Sequence, residues 1–265
     1  MKSQEQPQLQ NLQEQQQEGA VERILTGREG LDLLKESTSK VEGIRLVDFL
    51  QTPDGKEMLK AKKIVLAGPQ RSGKSCFRQG VKSSIASTPG APYPYILTAC
   101  PDGEGSWFQE AMNADPEMAA KLKAEYKSKF TPEFAKRIED SVKKINLPLN
   151  FIDIGGVISP ENEKICSGAN AAVILSGQTS VENGLPGQWK EFFTTLGIPV
   201  IAEVYSDYKG TEDLVEGVGE DGVFRGSVHH LERGESLGTR ETIQAFSRFV
   251  INLGKESSGE PSPTE

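Results

Sequence analysis

Residues 63–67, KIVLA, are apolar at consecutive positions after the leading lysine, and the chain leaves them through GPQRSGKS, Gly68 to Ser75. A segment apolar at every position rather than every second one buries both faces. A strand does so inside a parallel sheet that helices cover on both sides. Four further runs have the same character: PYILTA (94–99), LPLNFIDI (147–154), AAVILSG (171–177) and IPVIAEVYS (198–206). The segments between them supply crossover helices at 73–87, across 105–145, and at 159–168 and 184–195, with a last helix at 239–252. Strands alternating with helices predict an α/β fold, a mostly parallel, doubly wound sheet flanked by helices. The stretch 221–233, DGVFRGSVHHLER, adds one more strand, and no internal repeat is visible.

The regular pattern predicts one domain over 61–254. Residues 1–20 are dominated by Gln and Glu and contain almost nothing apolar to bury, so they are expected to be a disordered tail, as is 255–265. Residues 21–60 form an extension with helix-like spacing in VERILTGREGLDLLKE and no legible role. The net charge of −8 argues against a protein built to coat nucleic acid, which needs a positive field to displace counterions. The sequence has no apolar stretch near the ~20 residues that span a bilayer, and no membrane association is expected. Cys76, Cys100 and Cys166 are odd in number and widely spaced, which suits reduced thiols and a cytoplasmic location.

GPQRSGKS matches G-x-x-x-x-G-K-[ST], and it sits between a predicted strand and a predicted helix, the context the motif requires. This places the chain among P-loop NTPase folds. Gly68 and Gly73 let the backbone wrap a phosphate without a Cβ in the way. The main-chain amides of Pro69-adjacent Gln70, Arg71, Ser72 and Gly73, with those of Lys74, Ser75 and Cys76 at the helix start, face the anion. Lys74 reaches the β and γ phosphates, and Ser75 offers its hydroxyl to Mg²⁺. The second Mg²⁺-side group is expected to be Asp153, which closes the run LPLNFID and precedes Gly155 and Gly156. The capping of the next helix falls instead to Ser159, with Pro160 after it.

Asp102 and Glu104, in CPDGEGSW, are candidate catalytic acids, able to accept a proton from an attacking hydroxyl or to polarise water, or else plain turn residues. Trp107 and Phe108 read as helix packing. LSGQ (175–178) leaves a strand downstream of Asp153 and so is not a transporter-ATPase signature; Ser176 and Gln178 are loop residues with an alternative as γ-phosphate sensors. His229 and His230 point to opposite faces of a strand and do not share a metal. Arg71 lies in the loop itself, whereas Arg137, Arg225 and Arg240 are dispersed. EVYSDYKG lacks the N-K-x-D element of guanine sites, which favours ATP, with Mg²⁺, over GTP.

Three segments, GPQRSGKS, YILTACPDGEGSWFQE and FIDIGGVISPENEKICSGANAAVILS, resemble an AAA-like P-loop ATPase domain associated with the CRISPR type III ring nuclease. The resemblance spans 62–205. It implies that Gly68–Ser75 form the phosphate loop, that Asp153 is the Mg²⁺-side acid, that Asp102 and Glu104 lie in an acidic turn, and that the protein takes part in cyclic-oligonucleotide signalling. Residues 1–60 contain no evident ring-nuclease domain. Three functions are compatible with these residues. One is an ATP-hydrolysing regulator acting on a protein partner or a second copy, with the acidic stretch 206–222 as its switch or docking loop. The second is a kinase that moves the γ phosphate to a small molecule, and the third is a binder without turnover.

Overall fold

The computed structural model describes residues 23–100 and 130–253. The expected tails at 1–20 and 255–265, and most of the helical stretch 105–145, lie outside them. The described residues comprise α1 (Gly27–Ser39), α2 (Leu46–Phe49), α3 (Pro53–Lys60), β1 (Lys62–Ala67), α4 (Lys74–Ala86), β2 (Tyr95–Thr98), α5 (Pro132–Lys144) and β3 (Leu149–Asp153). They continue with α6 (Pro160–Cys166), β4 (Ala171–Gly177), α7 (Gln178–Glu182), α8 (Leu185–Thr195), β5 (Val200–Asp207), β6 (Leu214–Val218), β7 (Phe224–His229) and α9 (Glu241–Asn252).

The strands form one sheet in the order β2-β3-β1-β4-β5-β7-β6, parallel throughout except that β6 runs antiparallel to β7. The alternation along β1 shows why its residues are apolar without a break. Ile64 and Leu66 face a core shared with Phe77 and Val81 of α4 and with Ile243 and Phe246 of α9. Val65 and Ala67 face the opposite core, built with Val142 of α5, Ile165 of α6 and Phe193 of α8. Both faces of the sheet are therefore covered, as the consecutive apolar pattern requires. Among the described residues, no helix is long and apolar enough to cross a membrane.

The extension before β1 is part of this architecture. Thr26 and Glu29 cap α1 reciprocally: the Glu29 amide donates to Thr26 Oγ1 at 3.3 Å, and the Thr26 amide donates to Glu29 Oε2 at 3.0 Å. The helix buries Leu31 and Leu34 in a small core with Val181 and Tyr205. Gly30 allows the approach, since a Cβ there would lie 2.0 Å from Cζ of the Tyr205 ring.

The stretch 206–222, expected to be an acidic switch loop, contains the edge strand β6 instead. Its alternation is broken by Gly217 and by a register irregularity between Val215 and Gly217, and Val215 and Val218 stay exposed. Its pairing comes from β7 and from α1, whose Arg28 and Lys35 both bond Glu216. Composition carries no trace of such external support. Asp213, ahead of β6, accepts the Thr242 amide at 2.8 Å and so caps α9, whose N-cap residue Arg240 makes no side-chain capping bond.

Two measurements test this packing. Gly30→Ala is expected to destabilise the chain by about 1–3 kcal/mol in chemical denaturation, because the new methyl overpacks Tyr205; Thr26→Ala should cost about 1 kcal/mol through the lost cap. Cys166 is buried, and burial pushes its thiol up to about 12. At pH 8 its reactive thiolate is therefore scarce, and peptide mapping after iodoacetamide treatment should find Cys166 unmodified in native protein and modified after unfolding.

Candidate functional site

β1 ends at Ala67, and the loop to α4 runs along the carboxyl edge of the sheet. Three of its residues hold positive φ: Gly68 at 133°, Arg71 at 62° and Gly73 at 80°. Gly68 has no substitute, because a Cβ there would sit 1.9 Å from the Leu175 carbonyl oxygen of β4. Arg71 in the left-handed region is a strained choice for a residue with a long side chain and fits a loop whose curvature its surroundings impose. Gly73 is the N-cap of α4 with a left-handed backbone, so the first helical turn begins directly at the loop.

Lys74 is buried at 9% exposure, and its ammonium turns back into the loop. Nζ donates to the Gly68 and Pro69 carbonyls at 2.8 and 2.7 Å and approaches Ser72 Oγ at 3.4 Å. The loop is thus closed around a cation. On its far side lies Gly156, where a Cβ would come within 2.5 Å of the Gln70 nitrogen. The Gly155–Gly156 turn is held by Asn162 of α6, whose Nδ2 donates to the Gly155 and Val157 carbonyls at 3.3 and 2.7 Å. Ser159 caps α6 as its sequence predicts, accepting the Asn162 amide.

Asp153 ends β3, directly beside β1, in register with Leu66 on one side and Thr98 of β2 on the other. It is 5% exposed. Its Oδ2 accepts from Arg78 Nη1 at 2.8 Å, and the same nitrogen lies 3.3 Å from Thr98 Oγ1. Arg78 is the residue that sequence reasoning missed. It stands three positions after Ser75 on α4, hence on the same helical face, and that spacing was the available signal.

The opposite side of the loop is walled by the ends of β5 and β7. A cleft of about 630 Å³ is bounded by Gln70, Arg71, Gly156, Gln178 and Tyr208, among others. A second cleft, of about 490 Å³, is bounded by Lys74, Ser75, Cys76, Tyr208, Leu231 and Glu232, among others. Pro69, Ser72 and Gly73 line one or both. The expected loop residues from Pro69 to Cys76 line these two clefts, whereas Asp153, at the end of β3 beside β1, lines neither of them and reaches α4 through Arg78. Asp102 and Glu104, with Trp107 and Phe108, lie outside the described residues.

Of the remaining candidates, Gln178 borders the first cleft and Arg137, Arg225 and His229 line neither. Gln178 serves the N-terminal segment, accepting from the Leu25 amide at 3.1 Å and donating to the Arg23 carbonyl. Arg225 is held between Glu203 and Asp221, with Nε 2.9 Å from Glu203 Oε2. Those carboxylates raise its already high pKa against the opposing effect of burial, which is the largest single influence. Arg137 lies over the Phe134 ring. His229 Nδ1 is 2.6 Å from Asp213 Oδ1, and its Nε2 meets Arg240. His229 thus ties β7 to the segments before β6 and α9. Burial raises the pKa of Asp207 at the end of β5, while the Gly210 and Lys209 amides counter part of that rise.

No protein-family model matches the chain, and no curated protein matches it.

The Arg78–Asp153 pair joins a carboxylate inside the sheet edge to a helix over it, so its removal is expected to be costly. Arg78→Met should destabilise the chain by about 2–3 kcal/mol at neutral pH, through the hydrogen bond to a charged group left unmade. In a double-mutant cycle with Asp153→Asn, denaturation midpoints should show coupling above about 1 kcal/mol.

Proposed function

We propose that the loop from Gly68 to Ser75 binds the polyphosphate of ATP together with Mg²⁺, and that the chain hydrolyses ATP so that its nucleotide state acts on a protein partner. The observation that carries this reading is the loop closed on its own lysine. Four main-chain features converge there: the bare approach of Gly68 to β4, the left-handed Arg71 and Gly73, the start of α4 at the loop, and Gly156 against Gln70. Glycine at 68 and 156 lets the loop pack against β4 and against the turn after β3, which holds the curved main chain that a phosphate-binding loop needs. The Lys74 ammonium, now spent on two carbonyls and buried, has a stronger partner in a phosphate oxygen.

The donor set suits a hard cation, since Ser75 and Asp153 supply a hydroxyl and a carboxylate oxygen. Bound there, Mg²⁺ would neutralise charge across the β and γ phosphates. Arg78 and that ion would draw on the same Asp153 carboxylate, so the arginine governs how readily the acid turns to the ion. Tyr208 borders both clefts and offers an aromatic face to a base, which suits adenine as well as any other ring.

The expected outcome in calorimetry is ATP binding that Lys74→Ala lowers by at least about 100-fold, the loss of a charge-assisted contact of roughly 3 kcal/mol. Asp153→Asn should keep ATP binding and lose Mg²⁺-dependent phosphate release. Unchanged ATP affinity in Lys74→Ala refutes the site, whereas binding without phosphate release in the native chain, alone and with partners, refutes hydrolysis.

A further inference from the structure

The turn after β7 carries a group of side chains that none of the foregoing uses. His230 leaves the strand with φ 47°, its amide donating to the Asp207 carbonyl at 2.9 Å. The left-handed turn brings its ring together with Glu232 and Glu235. Their nearest ligand atoms, one from each residue, lie within 4.8 Å of one another. Nε2 is 3.5 Å from Glu232 Oε2 and 3.8 Å from Glu235 Oε1.

We propose that His230 Nε2, Glu232 Oε2 and Glu235 Oε1 form a binding site for a divalent transition-metal cation, Zn²⁺ by preference, on the rim of the cleft beside Lys74. Three features lead there. The first is that each of the three groups is aimed by an atom outside the cluster. His230 Nδ1 lies 3.2 Å from the Tyr208 carbonyl, an acceptor that calls for a proton on Nδ1, so in the neutral ring the lone pair is on Nε2. Glu232 Oε1 accepts from the Tyr208 hydroxyl at 2.7 Å, which turns Oε2 toward the imidazole. Glu235 Oε2 accepts from Arg240 Nη2 at 2.6 Å, which turns Oε1 the same way. A histidine bonded through its far nitrogen to a carbonyl, with carboxylates held by their second oxygens, is the outer support that metal ligands need.

The second feature is spacing. Zinc bonds of about 2.0–2.1 Å at a tetrahedral ion separate their ligand atoms by about 3.3–3.4 Å. The two distances from Nε2 exceed that by only a few tenths of an ångström and the two carboxylate oxygens lie within 4.8 Å of each other, so side-chain rotations can close the site. The third is charge. Glu235 already has the Arg240 guanidinium on Oε2, but its Oε1 and Glu232 Oε2 both face the imidazole, and a dication between them would attract both carboxylates. Imidazole with carboxylates suits Zn²⁺ better than Mg²⁺ or Ca²⁺, which take oxygen alone. Three protein ligands leave one position open to water, as in zinc sites that exchange ligands.

Packing on either side of the ligands favours the ion further. Leu231 is buried at 6% exposure between two of the ligands, and the Tyr208 ring stacks on the His230 ring at 5.7 Å between centroids. Most of the ordering cost is thus met before the ion arrives. Glu232 borders the same cleft as Lys74 and Ser75, so an ion here would fix one wall of that cleft. The site does not depend on nucleotide binding, and its test needs no nucleotide.

The experiment is titration of chelator-treated full-length chain, kept reduced, with Zn²⁺ by calorimetry and with Co²⁺ by absorption. One ion per chain is expected, with a Co²⁺ spectrum of nitrogen and oxygen ligation and no sulfur-to-cobalt band. His230→Asn, chosen because Asn tolerates the left-handed turn, and Glu235→Gln should each abolish or strongly weaken binding. Tyr208→Phe should weaken it about 10- to 100-fold, and Glu191→Gln on α8 should leave it unchanged. Zn²⁺ should raise the melting temperature of the native chain and not that of the two ligand variants, each of which should melt as the native chain does without metal. The proposal is overturned if Zn²⁺ does not bind, if binding survives His230→Asn and Glu235→Gln, or if the Co²⁺ spectrum shows thiolate. A proton in place of the ion, with the imidazole merely paired to both acids, corresponds to the first of these results.

Discussion

The main chain of the loop after β1 packs closely against its surroundings at three glycines, and the arrangement of that sheet edge follows from it. Gly68 lies against the Leu175 carbonyl of β4, Gly156 against the Gln70 nitrogen, and Gly73 against Leu231 and Ser206. Each contact is possible only where no Cβ intervenes. Together they draw the ends of β1, β3, β4 and β5 around one small volume, and Lys74 closes it from within. The helix that begins at Lys74 is thereby aimed across the sheet, which brings Arg78 over β3 and onto Asp153. A buried carboxylate without such a partner would raise its pKa or find water.

The outer strands are organised by reach rather than by close approach. β6 and β7 extend the sheet beyond β5, and the segment before β1 folds back over them as α1. Arg28 and Lys35 from that helix meet Glu216 of β6, Asp213 caps α9, and Gln178 receives the backbone just ahead of α1. These polar contacts join segments distant in sequence around the same end of the sheet. They also leave the turn at 230–235 fixed at the rim, where Tyr208 supports it through its ring, its hydroxyl and its carbonyl oxygen. One tyrosine therefore links the wall of the loop cleft to the histidine–glutamate group.

Much of the central sheet was legible because its residues answer to local rules. Consecutive apolar positions in KIVLA, LNFID and AAVILSG can be satisfied only with cover on both faces, and they mark β1, β3 and β4 to within a residue or two. Ser159 with Pro160 announces the start of α6 in the same way. The strand β6 was not legible: LVEGV is short, acidic and glycine-interrupted, and its stability comes from β7 and α1 rather than from its own pattern. Nor was the placement of α1, since a capping box and an apolar stripe define a helix without naming the surface it covers.

At the site, sequence alone determined which residues form the loop and where a carboxylate ends the neighbouring strand, because glycine spacing and strand termini are local properties of the chain. Tertiary structure decided the partners: Arg78 on Asp153, Gln178 on the N-terminal segment, and Tyr208 behind His230 and Glu232. The reason is geometric. Charge pairing and hydrogen bonding act over a few ångströms, and residues 22 or 75 positions apart come within that range only when the sheet order and helix angles have set their separation.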